Sequence, residues 1–158
     1  MIKYITAAMF STFSIASYSQ TKISQNDFIG SWKFIELQDE NGIKHNEIPM
    51  YFQGQKTVEV INRDDYTFFK NGDYKSSNKY SVGTGKWTYN EKDNTIALIL
   101  RIPENDKYFK HLLESKVIKK QEDGNYYQKP VFITINSHTK NEMTIADNHP
   151  YVLIYKRL

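Results

Sequence analysis

From about residue 26 onward, apolar and polar positions alternate with a period of two, in short runs broken by turn residues. That pattern marks strands with one face on a core. The first run, Gly30-Ser31-Trp32-Lys33-Phe34-Ile35-Glu36-Leu37, stops at a polar Asp39-Glu40-Asn41-Gly42 turn. Further runs cover Thr57–Asn62, Tyr66–Lys70, Tyr80–Val82, Lys86–Tyr89 and Thr95–Ile102. The last four are Lys116–Gln121, Tyr126–Ser137, Glu142–Asp147 and Tyr151–Arg157. Asn71-Gly72 and Glu122-Asp123-Gly124-Asn125 read as hairpin turns, because Asn and Gly tolerate positive φ. Eight to ten short strands joined mostly by hairpins predict an all-β fold, either an antiparallel up-and-down barrel or a sandwich.

One segment departs from this period. Tyr108, Phe109, Leu112 and Leu113 fall at helical spacing, with Pro103, Glu104 and Asp106 upstream as a helix start. A short amphipathic helix over Asp106 to Glu114 and a further strand are both compatible with so short an apolar run. There is no internal repeat, low-complexity tract or linker, so the pattern describes one domain.

The first twenty residues read differently. Lys3 is their only charge, an apolar and Ser/Ala-rich stretch follows, and small residues at Ser17 and Ser19 suit a signal-peptidase cut before Gln20. The expected division is a cleaved signal peptide over 1–19 and a mature domain over 20–158. The apolar stretch, about 16 residues, is short of the ~20 that a spanning helix needs, so no stable membrane anchor is expected. With no cysteine in the chain, a lipoprotein anchor, disulfides and thiolate chemistry are all excluded. The expected location is therefore periplasmic or extracellular, as a soluble protein. A leader ending in Tyr18-Ser19-Gln20 before a Lys/Asn-rich domain resembles exported proteins of Bacteroidetes.

Aromatic residues make up 15% of the 158 positions, enough apolar surface to collapse and an argument against disorder. The formal charge is only +3 and the lysines and acids alternate without a basic block, so nucleic acid is not an expected partner.

Asp27-Phe28-Ile29-Gly30-Ser31-Trp32-Lys33 resembles the Gly-x-Trp opening strand of lipocalins and fatty-acid-binding proteins. Gly85-Lys86-Trp87-Thr88-Tyr89-Asn90 followed by Thr95-Ile96-Ala97-Leu98 is similar to the middle of bacterial lipocalin-like domains, and Arg157 stands where calycin barrels carry a late Arg. The resemblance covers roughly Asn26 to Leu158. It implies a calycin-type β-barrel of about eight strands with Gly30, Trp32 and Arg157 as its signature. Physically, Trp32 could plug the narrow end with Arg157 stacked on its indole; the alternative is an ordinary core Trp and a frayed terminal Arg.

No phosphate loop, His-Glu-x-x-His or Gly-x-Ser-x-Gly is present. His45, His111, His138 and His149 have no metal-ligand spacing and read as solvated surface groups, so neither a metal nor a cofactor is expected. Asp64-Asp65 and Glu122-Asp123 are neighbours that a strand would point to opposite faces, so they form no local acid–base dyad. A non-catalytic binding protein is the expectation. With Trp32 inward, period two sends Phe34 and Glu36 inward; Tyr66 and Phe68 share a face, as do Trp87 and Tyr89, while Tyr155 shares one with Arg157. Phe34, Glu36, Tyr66, Phe68, Trp87, Tyr89 and Tyr155 are thus the candidate lining for a small hydrophobic or amphipathic ligand. The run Ile48-Pro49-Met50-Tyr51-Phe52 would form a lid over the mouth or pack on the outer wall. If the interior is filled by side chains, the alternative is an interaction module with a protein or glycan partner.

Overall fold

The computed structural model describes residues 23–147 and 150–158. The expected signal peptide and His149 lie outside the described residues.

A single-turn helix α1 (Gln25–Phe28) leads into β1 (Gly30–Gln38). A short strand β2 (Lys44–His45) and a hairpin of β3 (Glu47–Phe52) and β4 (Gln55–Val60) follow. The wall continues through β5 (Asp65–Phe68), β6 (Asp73–Ser77), β7 (Val82–Asn90) and β8 (Thr95–Ile102). Helix α2 (Phe109–Glu114) and a small hairpin of β9 (Ile118–Lys120) and β10 (Tyr126–Gln128) intervene before β11 (Val131–His138), β12 (Glu142–Ala146) and β13 (Val152–Arg157). Eight strands close on themselves in the order β1-β5-β6-β7-β8-β11-β12-β13, every neighbour antiparallel and β13 returning to β1. This is an up-and-down barrel. β8 serves two partners: its first half pairs with β11 and its end, Arg101 and Ile102, with β10.

The plugged pole is built from the start of β1 and the end of β13. Trp32 is fully buried and its Nε1 donates to the Phe28 carbonyl at 2.8 Å, which ties α1 across the barrel end. Above it, Phe68, Trp87, Ile96, Met143 and Ile145 fill the bore. Phe68 and Trp87 rings stand 4.7 Å apart.

Several boundaries differ from the sequence pattern. β6 carries only one apolar residue, Tyr74, so no alternation announces it; its neighbours on both sides, β5 and β7, hold it in place. Lys129-Pro130 divides Tyr126–Ser137 into β10 and β11, since proline removes a ladder donor. The helix exists, but only over Phe109–Glu114, with no fully buried residue. Phe109 anchors it edge-on to Tyr126 at 4.8 Å.

Candidate functional site

The barrel interior holds a connected aromatic group. Phe34 and Tyr155 are cross-strand partners with ring centroids 5.7 Å apart, and Tyr155 stands 5.7 Å from Tyr66. Tyr66 in turn stacks on Phe68 at 5.7 Å, so these rings form a continuous floor. Tyr74, paired with Phe68 and therefore on the same face, completes it. A separate cavity of about 340 Å³ is walled by Ser76, Gly83, Leu100 and Ile102, with Asp64, Arg101 and Asp106 as its charged groups; none of these rings lines it.

Tyr66, Tyr74 and Tyr155 have a shared electrostatic setting. Burial raises all three phenol pKa values, that of Tyr74 to about 12, and the Asp64 carboxylate adds to each shift. They are therefore O–H donors at neutral pH. No side-chain hydrogen bond joins the three hydroxyls to a described residue, yet none of them is a buried unpartnered atom; among the described residues those are His138 Nε2 and Arg157 Nε. Asp64 itself accepts from the Asn78 side-chain amide at 2.5 Å.

The sequence-derived lining divides into three groups. Phe34, Tyr66 and Tyr155 stand together inside the barrel. Phe68 and Trp87 lie deeper in solid core, and Tyr89 packs at the plugged pole against Phe28 at 4.7 Å. Glu36 is not inside. A bulge between Phe34 and Glu36 adds one residue to β1, so Leu37 becomes the buried residue and Glu36 turns outward. There it pairs with Lys44 and accepts from the Gln38 amide at 2.5 Å, and the Lys44 hydrogen bond lowers its pKa. The run Ile48–Phe52 is strand β3 rather than a loop. Only Ile48 reaches the core, whereas Met50, Tyr51 and Phe52 are exposed, Tyr51 by 75%.

Sequence reasoning missed Tyr74 and Asp64, because their place depends on β6 and on a loop with no periodic signal. It also misplaced His138. That ring sits between Phe28 at 4.6 Å and Trp32 at 5.4 Å, half-buried at the plugged pole.

A larger cavity, about 540 Å³, runs over the outer wall of β6, β7 and β8 beneath the β9–β10 turn. Asp73 in it is bound by Lys86 at 2.6 Å and by the Asn71 amide at 2.7 Å. Asp123 accepts from the Tyr127 hydroxyl at 2.7 Å. Among the described residues there is no group of three or more His, Cys, Asp or Glu able to hold a metal. No described helix is long and apolar enough to cross a membrane.

Comparison with known proteins agrees with this architecture. A family described as a C-terminal lipocalin-like domain matches residues 13–146. No curated protein matches the chain. Two solved structures are similar. A lipocalin-like protein from Bacteroides uniformis shares 15% identity over 84% of this chain and 99% of its own, with a TM-score of 0.45. An uncharacterized protein from Bacteroides eggerthii shares 16% identity over 83% of this chain and 99% of its own, also at 0.45.

Proposed function

Because the chain belongs to the family of C-terminal lipocalin-like domains, we propose that it is a non-catalytic binding protein holding one small amphipathic molecule at the barrel mouth. The observation that carries this reading is the aromatic group of Phe34, Tyr66 and Tyr155 inside the barrel, together with a cavity of about 340 Å³ walled by Ser76, Leu100 and Ile102. The phenol oxygens are not buried unpartnered atoms, so they stay within reach of water, which a guest's head group would replace. The phenols supply donors and the Asp64 carboxylate supplies an acceptor and a negative field. A neutral head group that both accepts and donates, such as an alcohol or amide, matches that set. Asp64 and Asp106 outnumber Arg101 in this cavity, so its field disfavours a carboxylate. The apolar body lies against Leu100 and Ile102. A volume of about 340 Å³ suits a short chain or a single ring, because the core below it is solid.

Displacement of the fluorescent probe N-phenyl-1-naphthylamine tests this. 1-Octanol displaces it, octanoate does so at least tenfold more weakly, and the Tyr66→Phe/Tyr155→Phe double variant loses the preference. Octanoate displacing as well as octanol, or no probe uptake at all, would contradict the reading.

A second reading rests on the β3–β4 hairpin, which carries Tyr51, Phe52 and Val60 each more than 60% exposed. Apolar side chains on a projecting hairpin suit a protein or glycan partner. That reading requires Tyr51→Ser/Phe52→Ser to abolish partner binding while octanol displacement is untouched.

A further inference from the structure

The outer groove over β6, β7 and β8 combines two kinds of polar group that a single simple ion would not satisfy. Asp73 and Asp123 are fixed carboxylates, each held by the hydrogen bonds described above, so they are oriented acceptors. Lys75 and Arg101 are exposed cations on the same wall, and neither makes a salt bridge with a described residue. The exposed ring of Phe69 stands at one end, and the buried ring of Tyr127 forms part of the wall.

Each group limits the ligand. Oriented carboxylates favour hydroxyl donors and repel a bare phosphate or sulfate. An unpaired guanidinium and ammonium favour an anionic group, the guanidinium with two parallel N–H donors for one carboxylate. An apolar ring edge suits the C–H face of a pyranose. Polypeptide is a poor fit, since β6, β7 and β8 are paired on both sides along the groove and offer no strand edge for backbone pairing. We propose that this groove is a second site, which takes a saccharide bearing a carboxylate, a uronic acid, with its hydroxyls on Asp73 and Asp123 and its acid on Arg101 and Lys75. The site borders the first cavity, with which it shares Thr84 and Arg101.

Calorimetric titration with three probes tests it: an oligogalacturonate, its neutral methyl ester, and galacturonic acid monomer. Oligogalacturonate binds; esterification weakens binding at least tenfold; Arg101→Gln and Lys75→Gln each weaken it severalfold. Monomer binding at comparable strength places the recognition in one sugar unit, and markedly weaker monomer binding places it in the chain; both support the site. Lys156→Gln, on the opposite wall, leaves the affinity unchanged. The proposal is overturned if the methyl ester binds equally, if Lys156→Gln weakens binding as much as Arg101→Gln, or if oligogalacturonate does not bind. Circular dichroism of each variant separates lost binding from lost fold.

Discussion

The guanidinium carbon of Arg157 lies 4.4 Å from the centroid of the Trp32 ring, and its Nη1 donates to the Ile29 carbonyl at 2.7 Å. Its Nη2 donates to the Asp27 carbonyl. One side chain from the last strand therefore caps the indole and holds the entry segment of the first. Gly30, at φ +130°, lets the chain pass beneath it: a Cβ there would sit 3.2 Å from Nη1.

Arg157→Ala should destabilise the fold by about 2–3 kcal/mol, the sum of a stacked cation and charge-assisted hydrogen bonds that stay partly exposed. Arg157→Lys should recover less than half, because an ammonium cannot stack and fork at once. Gly30→Ala should cost about 1–3 kcal/mol through its backbone conformation. Urea unfolding midpoints, at unchanged m-value, check all three.

Gly85 should be the least replaceable glycine in the wall. A Cβ there would stand 2.1 Å from the Ile99 carbonyl oxygen and 2.8 Å from Tyr74 Cε1. Rigid backbone cannot yield as a flexible side chain can, so Gly85→Ala should cost at least about 3 kcal/mol. It should also displace the Tyr74 ring from the aromatic group inside the barrel. Thermal unfolding gives the first effect and near-UV circular dichroism the second.

His138 should make stability depend on pH. Its burial lowers the imidazole pKa, the Asp27 carboxylate opposes that shift, and the Arg157 cation adds to it. The aromatic faces of Phe28 and Trp32 complete its surroundings. The unfolded chain, with its histidine near pH 6.5, then binds more protons than the folded one below that pH. This histidine's contribution to stability should thus be complete above pH 6.5. It should be lost as pH falls from there through the lower folded pKa, at no more than about 1.4 kcal/mol per pH unit. His138→Phe keeps an aromatic ring in place and should flatten that slope, as urea titrations between pH 5 and 7.5 would show.

The strand count and the hairpin turns were legible because each depends on local alternation or on a turn residue, whereas the closing pair Trp32 and Arg157, a long-range contact, was implied by the resemblance to calycin barrels. Glu36 was misread because the β1 bulge inserts one residue, and a single insertion inverts every later side chain on the strand. Phe34, before the bulge, and Tyr66 and Tyr155, on strands read in the right phase, all face the interior. Tyr74 and Arg101 escaped notice for another reason. Their surroundings are set by β6 and by β10 folding back on β8, which are long-range pairings. His138 looked solvated in sequence because Ser137, Thr139 and Lys140 surround it; only closure of the barrel brings Phe28 and Trp32 over its ring.

Fluorine NMR of the chain labelled with 3-fluorotyrosine, titrated with 1-octanol, tests the mouth site most directly. The resonances of Tyr66, Tyr74 and Tyr155 should move together and saturate, while those of Tyr51 and Tyr127 stay fixed. Movement confined to Tyr51 or Tyr127, or none at all, would contradict a ligand held at the barrel mouth.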